Sequence, residues 1–157
     1  MSIPEIAKKM KAKSAPGQTA GRKKHPGAVL PWAPSAAGPT IQSIRDGLSF
    51  RHVEWLRRDL GVSLDKLSAI LGIARATLNR RKVGGRLTSR ESDRVIRFQR
   101  LFNRALIVLE SPDNARAWFF APQRGIGDEV PVRFAETEVG AREVEDLLER
   151  IDHGIYS

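Results

Sequence analysis

The sequence predicts an all-α protein, and three observations carry that reading. From Ile41 onward the bulky apolar residues recur at intervals of three and four. Short polar residues of the N-cap type stand just ahead of these runs, with glycines just behind them. No stretch alternates apolar and polar side chains as a half-buried strand requires.

Each element follows from its own signals. Phe50, Val53, Leu56 and Leu60 mark a first helix that stops at Leu60–Gly61. Ser63 caps a second, with Leu64, Leu67 and Leu71 inward and Gly72 at its end. A third covers about Arg75 to Lys82 and stops at Gly84–Gly85. Thr88 opens "TSRE", a capping box in which the Glu91 carboxylate reaches back to the Thr88 amide. The longest helix follows, with Val95, Phe98, Phe102, Ala105 and Leu109 as a seam that Ile96, Leu101, Leu106 and Val108 widen. Ser111 and Pro112 restart the chain as N-cap and first helical residue. That helix ends in Trp118, Phe119 and Phe120, which are expected to fill a core with Phe102 and Phe134. Pro131 opens a short helical piece, and a last helix from Thr137 lines up Val144, Leu147, Leu148 and Ile151 before His153–Gly154 ends it.

Residues 1–40 differ in kind. Pro, Gly, Ala, Ser and Lys dominate, so the segment cannot offset its ordering entropy and is expected to be disordered or loosely packed. Val29, Leu30 and Trp32 are its only bulky apolar cluster.

The net charge of +9 is distributed unevenly. Residues 1–40 hold seven Lys/Arg against one acid, residues 41–100 fourteen against six, and residues 101–157 six against eleven. A basic front suits a polyanion and an acidic back suits a basic protein surface. The chain has no cysteine, which excludes disulfides and thiolate metal sites. His25, His52 and His153 are scattered and no serine sits in a nucleophile elbow, so neither a metal, a cofactor nor an enzymatic activity is expected. No apolar run is long enough to span a membrane, and a cytoplasmic protein is expected.

"LDKLSAILGIARATLNRRK", Leu64 to Lys82, has the layout of a helix-turn-helix. Leu67, Leu71, Ile73 and Leu78 occupy the packing positions, and Gly72 stands at the sharp turn. Arg81 departs from the pattern, since an apolar residue is often found there. Arg75, Asn79 and Lys82 share one face of the second helix, flanked by Thr77, Arg80 and Arg81. Asn pairs bidentately with adenine and Arg with guanine, while neighbouring cations meet phosphates. This face is the candidate DNA-binding site, and paired half-sites make a homodimer the expected form, with the seam of the long helix available to a twin. Solvation of an exposed basic face is the bland alternative.

"RGIGDEVP", Arg124 to Pro131, is not a phosphate loop. It follows a helix rather than a strand, and Asp128 and Glu129 repel phosphate. Nor does one Asp–Glu pair supply the alternating oxygens of a calcium loop. Gly125 and Gly127 therefore read as turn residues.

The order of the segment from Ala105 to Ser157 is nevertheless distinctive. It runs from "AWFFAPQ" through a glycine loop to "VP" and then "VGAREVEDLLERIDHGIYS". Ala115, Trp118, Phe119, Pro122, Gly127, Pro131, Gly140, Ala141, Val144, Leu147, Leu148, Ile151 and Gly154 fall in one ordered pattern. In this the segment resembles the toxin-binding domain of Xre/MbcA/ParS-type antitoxins. Ile126 replaces the first glycine of the family's usual pair.

The resemblance implies an antitoxin of a type II toxin–antitoxin system rather than an enzyme. Its partner is then a RES-domain toxin that consumes NAD, whose pocket the antitoxin covers. Carried onto this chain, the toxin-binding residues are His153, Gly154, Ile155, Tyr156 and Ser157, with Arg142 and Glu149 on the preceding helix. Glu143, Glu145, Asp146 and Glu149 are expected to steer that helix toward a basic cleft. The basic face of the helix over Arg75 to Lys82 adds the expectation that the complex represses its own operon through operator DNA, with Arg75, Thr77, Asn79, Arg80 and Lys82 in contact. The domains are then a tail over 1–40, an Xre-like helix-turn-helix and dimerisation domain over 41–104, and a toxin-binding domain over 105–157. A plain transcriptional regulator, with the last domain serving only dimerisation, is the alternative.

Overall fold

A computed structural model describes residues 41–155. The basic segment 1–40, with Val29, Leu30 and Trp32, lies outside the described residues, as do Tyr156 and Ser157. Every regular element among the described residues is helical, apart from two isolated antiparallel bridges, Ser49–Arg86 and Gln123–Glu129. In order these are α1 (Ile41–Arg45), α2 (Arg51–Leu60), α3 (Leu64–Leu71), α4 (Arg75–Gly84), α5 (Ser89–Leu109) and α6 (Pro112–Phe119). A 3-10 turn (Arg124–Ile126), α7 (Pro131–Phe134) and α8 (Glu138–Asp152) complete them.

The helices start where the sequence places caps. Ser63 Oγ accepts from the Lys66 amide, Ser111 Oγ from Asn114 and Thr137 Oγ1 from Gly140, which satisfies otherwise orphaned donors. At α5 both halves of the capping box form: Thr88 N donates to Glu91 Oε2 at 2.7 Å, and Glu91 N to Thr88 Oγ1 at 3.3 Å. The ends are equally specified. Gly61 and Gly72 take left-handed φ of 65° and 60°, so the next amide folds back onto the helix: Val62 N onto Arg57 O, Ile73 N onto Ser68 O.

Two arginines finish these ends from a distance. Arg94 of α5 donates to the Leu71 and Gly72 carbonyls at 3.1 and 2.9 Å. Arg116 of α6 donates to Asp59 O at 2.7 Å. A cation at a helix C-terminus meets the negative end of its dipole, so these contacts lock α3 and α2 onto the rest of the bundle.

α5 is the axis, in contact with α1, α2, α3, α6 and α8. Val95, Phe98, Leu101, Phe102 and Ala105 are all at most 3% exposed, and Phe102 meets Phe119 edge to face at 6.0 Å. Burying the larger of these, the Val, Leu and Phe side chains, stabilises by roughly 1.5–3 kcal/mol each. The expectation that this seam is available to a second copy is therefore corrected: helices of the same chain cover it. Of the aromatic triplet, Trp118 and Phe119 are buried as expected and Phe134 packs on the core, whereas Phe120 is half-buried beneath Lys66 Nζ, 4.5 Å from its ring centre.

Among the described residues, Ser92, Gln99 and Gln123 are polar yet buried. Ser92 Oγ accepts from Leu48 N at 2.9 Å and donates to Thr88 O, which ties the loop before α2 to α5. Gln99 donates to the His52 carbonyl at 3.2 Å, while its own oxygen lies 3.4 Å from His52 Nδ1. Gln123 Nε2 donates to the carbonyls of Trp118 and Ala121, both at 2.9 Å, and so closes the corner after α6.

Arg81, the residue that departs from the helix-turn-helix pattern, is explained by Glu91. Its Nε donates to both carboxylate oxygens, at 3.2 and 2.8 Å, and both side chains are largely buried. Burial pushes the Glu91 carboxyl up, but the Thr88 amide and the Arg81 guanidinium outweigh it and hold the group below its ordinary value of 4.5. The folded chain thus binds fewer protons than the unfolded one. This contribution is complete above the ordinary carboxylate range and is lost as pH falls through the lowered pKa. Thermal melts should therefore show Tm falling as pH drops below about 4.5, with a shallower fall for Glu91→Gln than for the wild type. Equal slopes would refute the assignment.

Candidate functional site

The two regions singled out from sequence lie in different parts of the described structure. The first is the α3–turn–α4 unit. Leu67, Leu71, Ile73 and Leu78 are buried at 6% exposure or less, which fixes α4 against α3 and leaves its other face outward. Arg75 and Asn79 stand one turn apart on that face, and Arg75 Nη1 donates to Asn79 Oδ1. Asn79, Arg80 and Lys82 are exposed, while Arg75 and Thr77 are half-buried. Arg86 and Arg90 extend the exposed basic surface beyond the end of α4.

Acids that the pattern of α4 does not announce temper this surface. Arg75 Nε donates to Asp65 Oδ1 of α3 at 2.8 Å, and Lys82 Nζ lies 3.9 Å from Glu54 Oε1 of α2. Arg81 is engaged with Glu91 and only 26% exposed at the side chain, so its guanidinium is committed within the chain rather than free on the outward face. Sequence reasoning misses Asp65, because it lies ten residues upstream and meets Arg75 only after the turn folds α3 against α4.

The second region is the corner after α6 and the end of α8. Gly127 (φ 74°) and Asp128 (φ 63°) take left-handed conformations, so Gly127 is a turn residue as expected. Gly125 is glycine for another reason. A Cβ there would lie 2.3 Å from Leu147 Cδ1 of α8. Ile126, bulky where the resembling family has glycine, is 8% exposed and belongs to the core. Arg150 Nη2 donates to Gly125 O at 3.1 Å, and this binds the corner to the last turn of α8.

The acids of α8 divide into two sets. Glu138 meets Arg97 at 3.0 Å, Glu145 meets Arg100 at 2.6 Å, and Asp152 meets Arg104 at 3.3 Å, a ladder that clamps α8 along α5. Burial pushes the Glu138 carboxyl up, yet Arg100 and Arg97 together hold it below its ordinary value. Glu145, expected to steer a partner, is thus committed within the chain. Glu143, Asp146 and Glu149 are exposed, and so is Arg142. Glu149 lies 4.0 Å from His153 Nε2.

Beyond α8, His153 continues the helical backbone and Gly154 turns left-handed at φ 73°. Gly154 N then donates to Ile151 O at 3.0 Å and Ile155 N to Arg150 O at 2.8 Å. This is the same double closure that ends α2 and α3, with one difference. There the residue after glycine, Val62 or Ile73, is buried, whereas Ile155 is 57% exposed. The backbone leading to residue 155 is fixed while its apolar side chain faces solvent.

Together these features define a helix-turn-helix protein that carries a second, helical binding module on a shared long helix. Two family models match it in that order: the antitoxin Xre-like helix-turn-helix domain over residues 39–100, and the antitoxin Xre/MbcA/ParS C-terminal toxin-binding domain over residues 104–154. An antitoxin Xre of Yersinia enterocolitica is 33% identical over 120 residues, covering 74% of this chain and 80% of that one. An antitoxin Xre of Photorhabdus laumondii is 34% identical over 127 residues, covering 79% and 86%. The chain belongs to the Xre antitoxin family.

Proposed function

We propose that this antitoxin neutralises a RES-domain, NAD-consuming toxin by laying residues 153–157 over the toxin's active site. The observation that carries the reading is Ile155, an apolar side chain held outward by a closed helix end. An exposed large hydrophobe on a fixed backbone is already organised for a partner, because little ordering entropy is left to lose on binding. Tyr156 and Ser157 follow it in sequence. Glu149, with Glu143 and Asp146, supplies an acidic approach to a cationic cleft, and Arg142 stands on the same exposed flank. The protein's own role is to bind, not to catalyse, and the setting is the cytoplasm.

In the same reading α4 contacts operator DNA through Arg75, Thr77, Asn79, Arg80 and Lys82, and the chain, as a homodimer, represses its operon. Functionally it divides into the tail 1–40, the helix-turn-helix over 41–104 and the toxin-binding part over 105–157. α5 runs unbroken across the last of these boundaries. The ladder of arginines along it ties the two parts mechanically.

Tagged chain expressed from its genomic locus should co-purify with the product of the adjacent gene, and that product should consume NAD when freed of the antitoxin. A neighbour without a RES domain, or a purified complex that still consumes NAD, rules the reading out. A gel shift with upstream DNA tests the repressor role. No shift, with or without toxin, removes it.

A further inference from the structure

We infer that Asp65 is a positioning residue for base recognition, holding the Arg75–Asn79 pair in one orientation and discouraging their capture by phosphates. The inference rests on the DNA reading of α4 and adds a residue of α3 to it. Asp65 Oδ1 accepts from Arg75 Nε at 2.8 Å, and Arg75 Nη1 donates in turn to Asn79 Oδ1. A guanidinium held at two of its five donors has a fixed plane, which leaves the Nη2 donors and one Nη1 hydrogen for another acceptor. Asn79 is oriented by the same contact: its carbonyl oxygen faces Arg75, so its amide hydrogens point away. Without Asp65 the arginine is free to swing to the nearest phosphate, a contact that carries no sequence information.

The chain does not need this arrangement for folding. Asp65 is 79% and Arg75 41% exposed at the side chain, and an ion pair so exposed contributes little in water. Its effect grows where DNA excludes that water, since Coulomb interactions strengthen as the effective dielectric falls. Asp65 also sets a negative charge beside the groove-facing residues, which opposes non-specific approach to the polyanion. Stability and recognition are therefore separable at this position.

The test uses the full chain, alone and with its toxin, to enrich binders from duplexes with a randomised centre. The best enriched duplex is then titrated beside a scrambled one. Asp65→Ala should lower the preference for the enriched duplex about tenfold or more, the discrimination expected of one bidentate base contact. It should also bind the scrambled duplex more tightly and should blur the base preference at one position only. Asp65→Asn keeps an acceptor oxygen but removes the charge. It should tighten scrambled binding while retaining most of the preference. Selectivity for Asp65→Ala equal to wild type, with melting unchanged, overturns the inference alone. Failure of the wild type to enrich any sequence overturns the DNA reading and the inference together.

Discussion

A chain ending at Asp152 should fold as the full chain does and fail to protect cells from its toxin. His153, Gly154 and Ile155 are all exposed, and the buried face of α8, from Gly140 to Ile151, is complete without them. Among the described residues the fold loses the closing bonds from His153 N, Gly154 N and Ile155 N to the Glu149, Ile151 and Arg150 carbonyls, a cost of about 1–2 kcal/mol at a solvent-exposed helix end. Binding loses much more if residues 153–157 form the centre of the interface. Central apolar and aromatic anchors contribute about 2–4 kcal/mol each, so affinity for the toxin should fall by about a hundredfold or more. Ile155→Asp provides the control, because every backbone bond at the helix end remains and only the outward side chain changes. Both variants should show near-native thermal melts and both should leave co-expressing cells arrested. Full protection by either variant would refute occlusion by this segment and move the interface elsewhere on the chain.

Local signals make most of the fold legible in the amino-acid sequence. The side-chain caps Ser63, Thr88, Ser111 and Thr137 act within three residues of themselves, so a sequence window contains the whole interaction. The inward faces of α3, α5 and α8 are legible because helical period alone decides which residues line up. What escapes is non-local. Glu145 reads as a free acid until α5 brings Arg100 within 2.6 Å, and the seam of α5 reads as a dimer face until α6 and α8 are laid on it. Arg94 and Arg116 look like further surface cations, yet each caps a helix whose end lies 22 to 58 residues upstream. The candidate site divides in the same way. The i, i+4 spacing of Arg75 and Asn79 is visible on α4, whereas Asp65 enters only through the turn.

Glycines show the limit most sharply, as at Gly140. In sequence it looks like a mild fault near the start of α8, a place where alanine should strengthen the helix. In the fold, a Cβ at this position would lie 1.8 Å from the carbonyl oxygen of Phe134 and 2.8 Å from its carbonyl carbon. Those are backbone atoms of α7, which Pro131 and Val132 anchor in the core, so no side chain can swing aside to make room. Moving α8 instead would break the Thr137 cap on Gly140 N at 3.1 Å and disturb the Glu138 contact with Arg97 at 3.0 Å. Gly140→Ala should therefore destabilise the chain by about 3 kcal/mol or more, at the upper end for overpacking, and lower Tm by roughly 10 °C or more. Gly127→Ala separates crowding from backbone conformation: its φ is 74° but nothing stands within 4 Å of a Cβ there, so only the left-handed penalty of about 1–2 kcal/mol applies. The consequence reaches the proposed toxin-binding end, because α8 runs from Glu138 to Asp152 and carries the chain about 18 Å from the Gly140 crossing toward the exposed Ile155. A small tilt at the crossing becomes a larger displacement at that end. Gly140→Ala should thus reduce protection even below its melting temperature, when Ile155 itself is intact. A Gly140→Ala chain that melts within about 2 °C of wild type would show that α7 yields at this crossing, and the crossing would then not be what aims the end of α8.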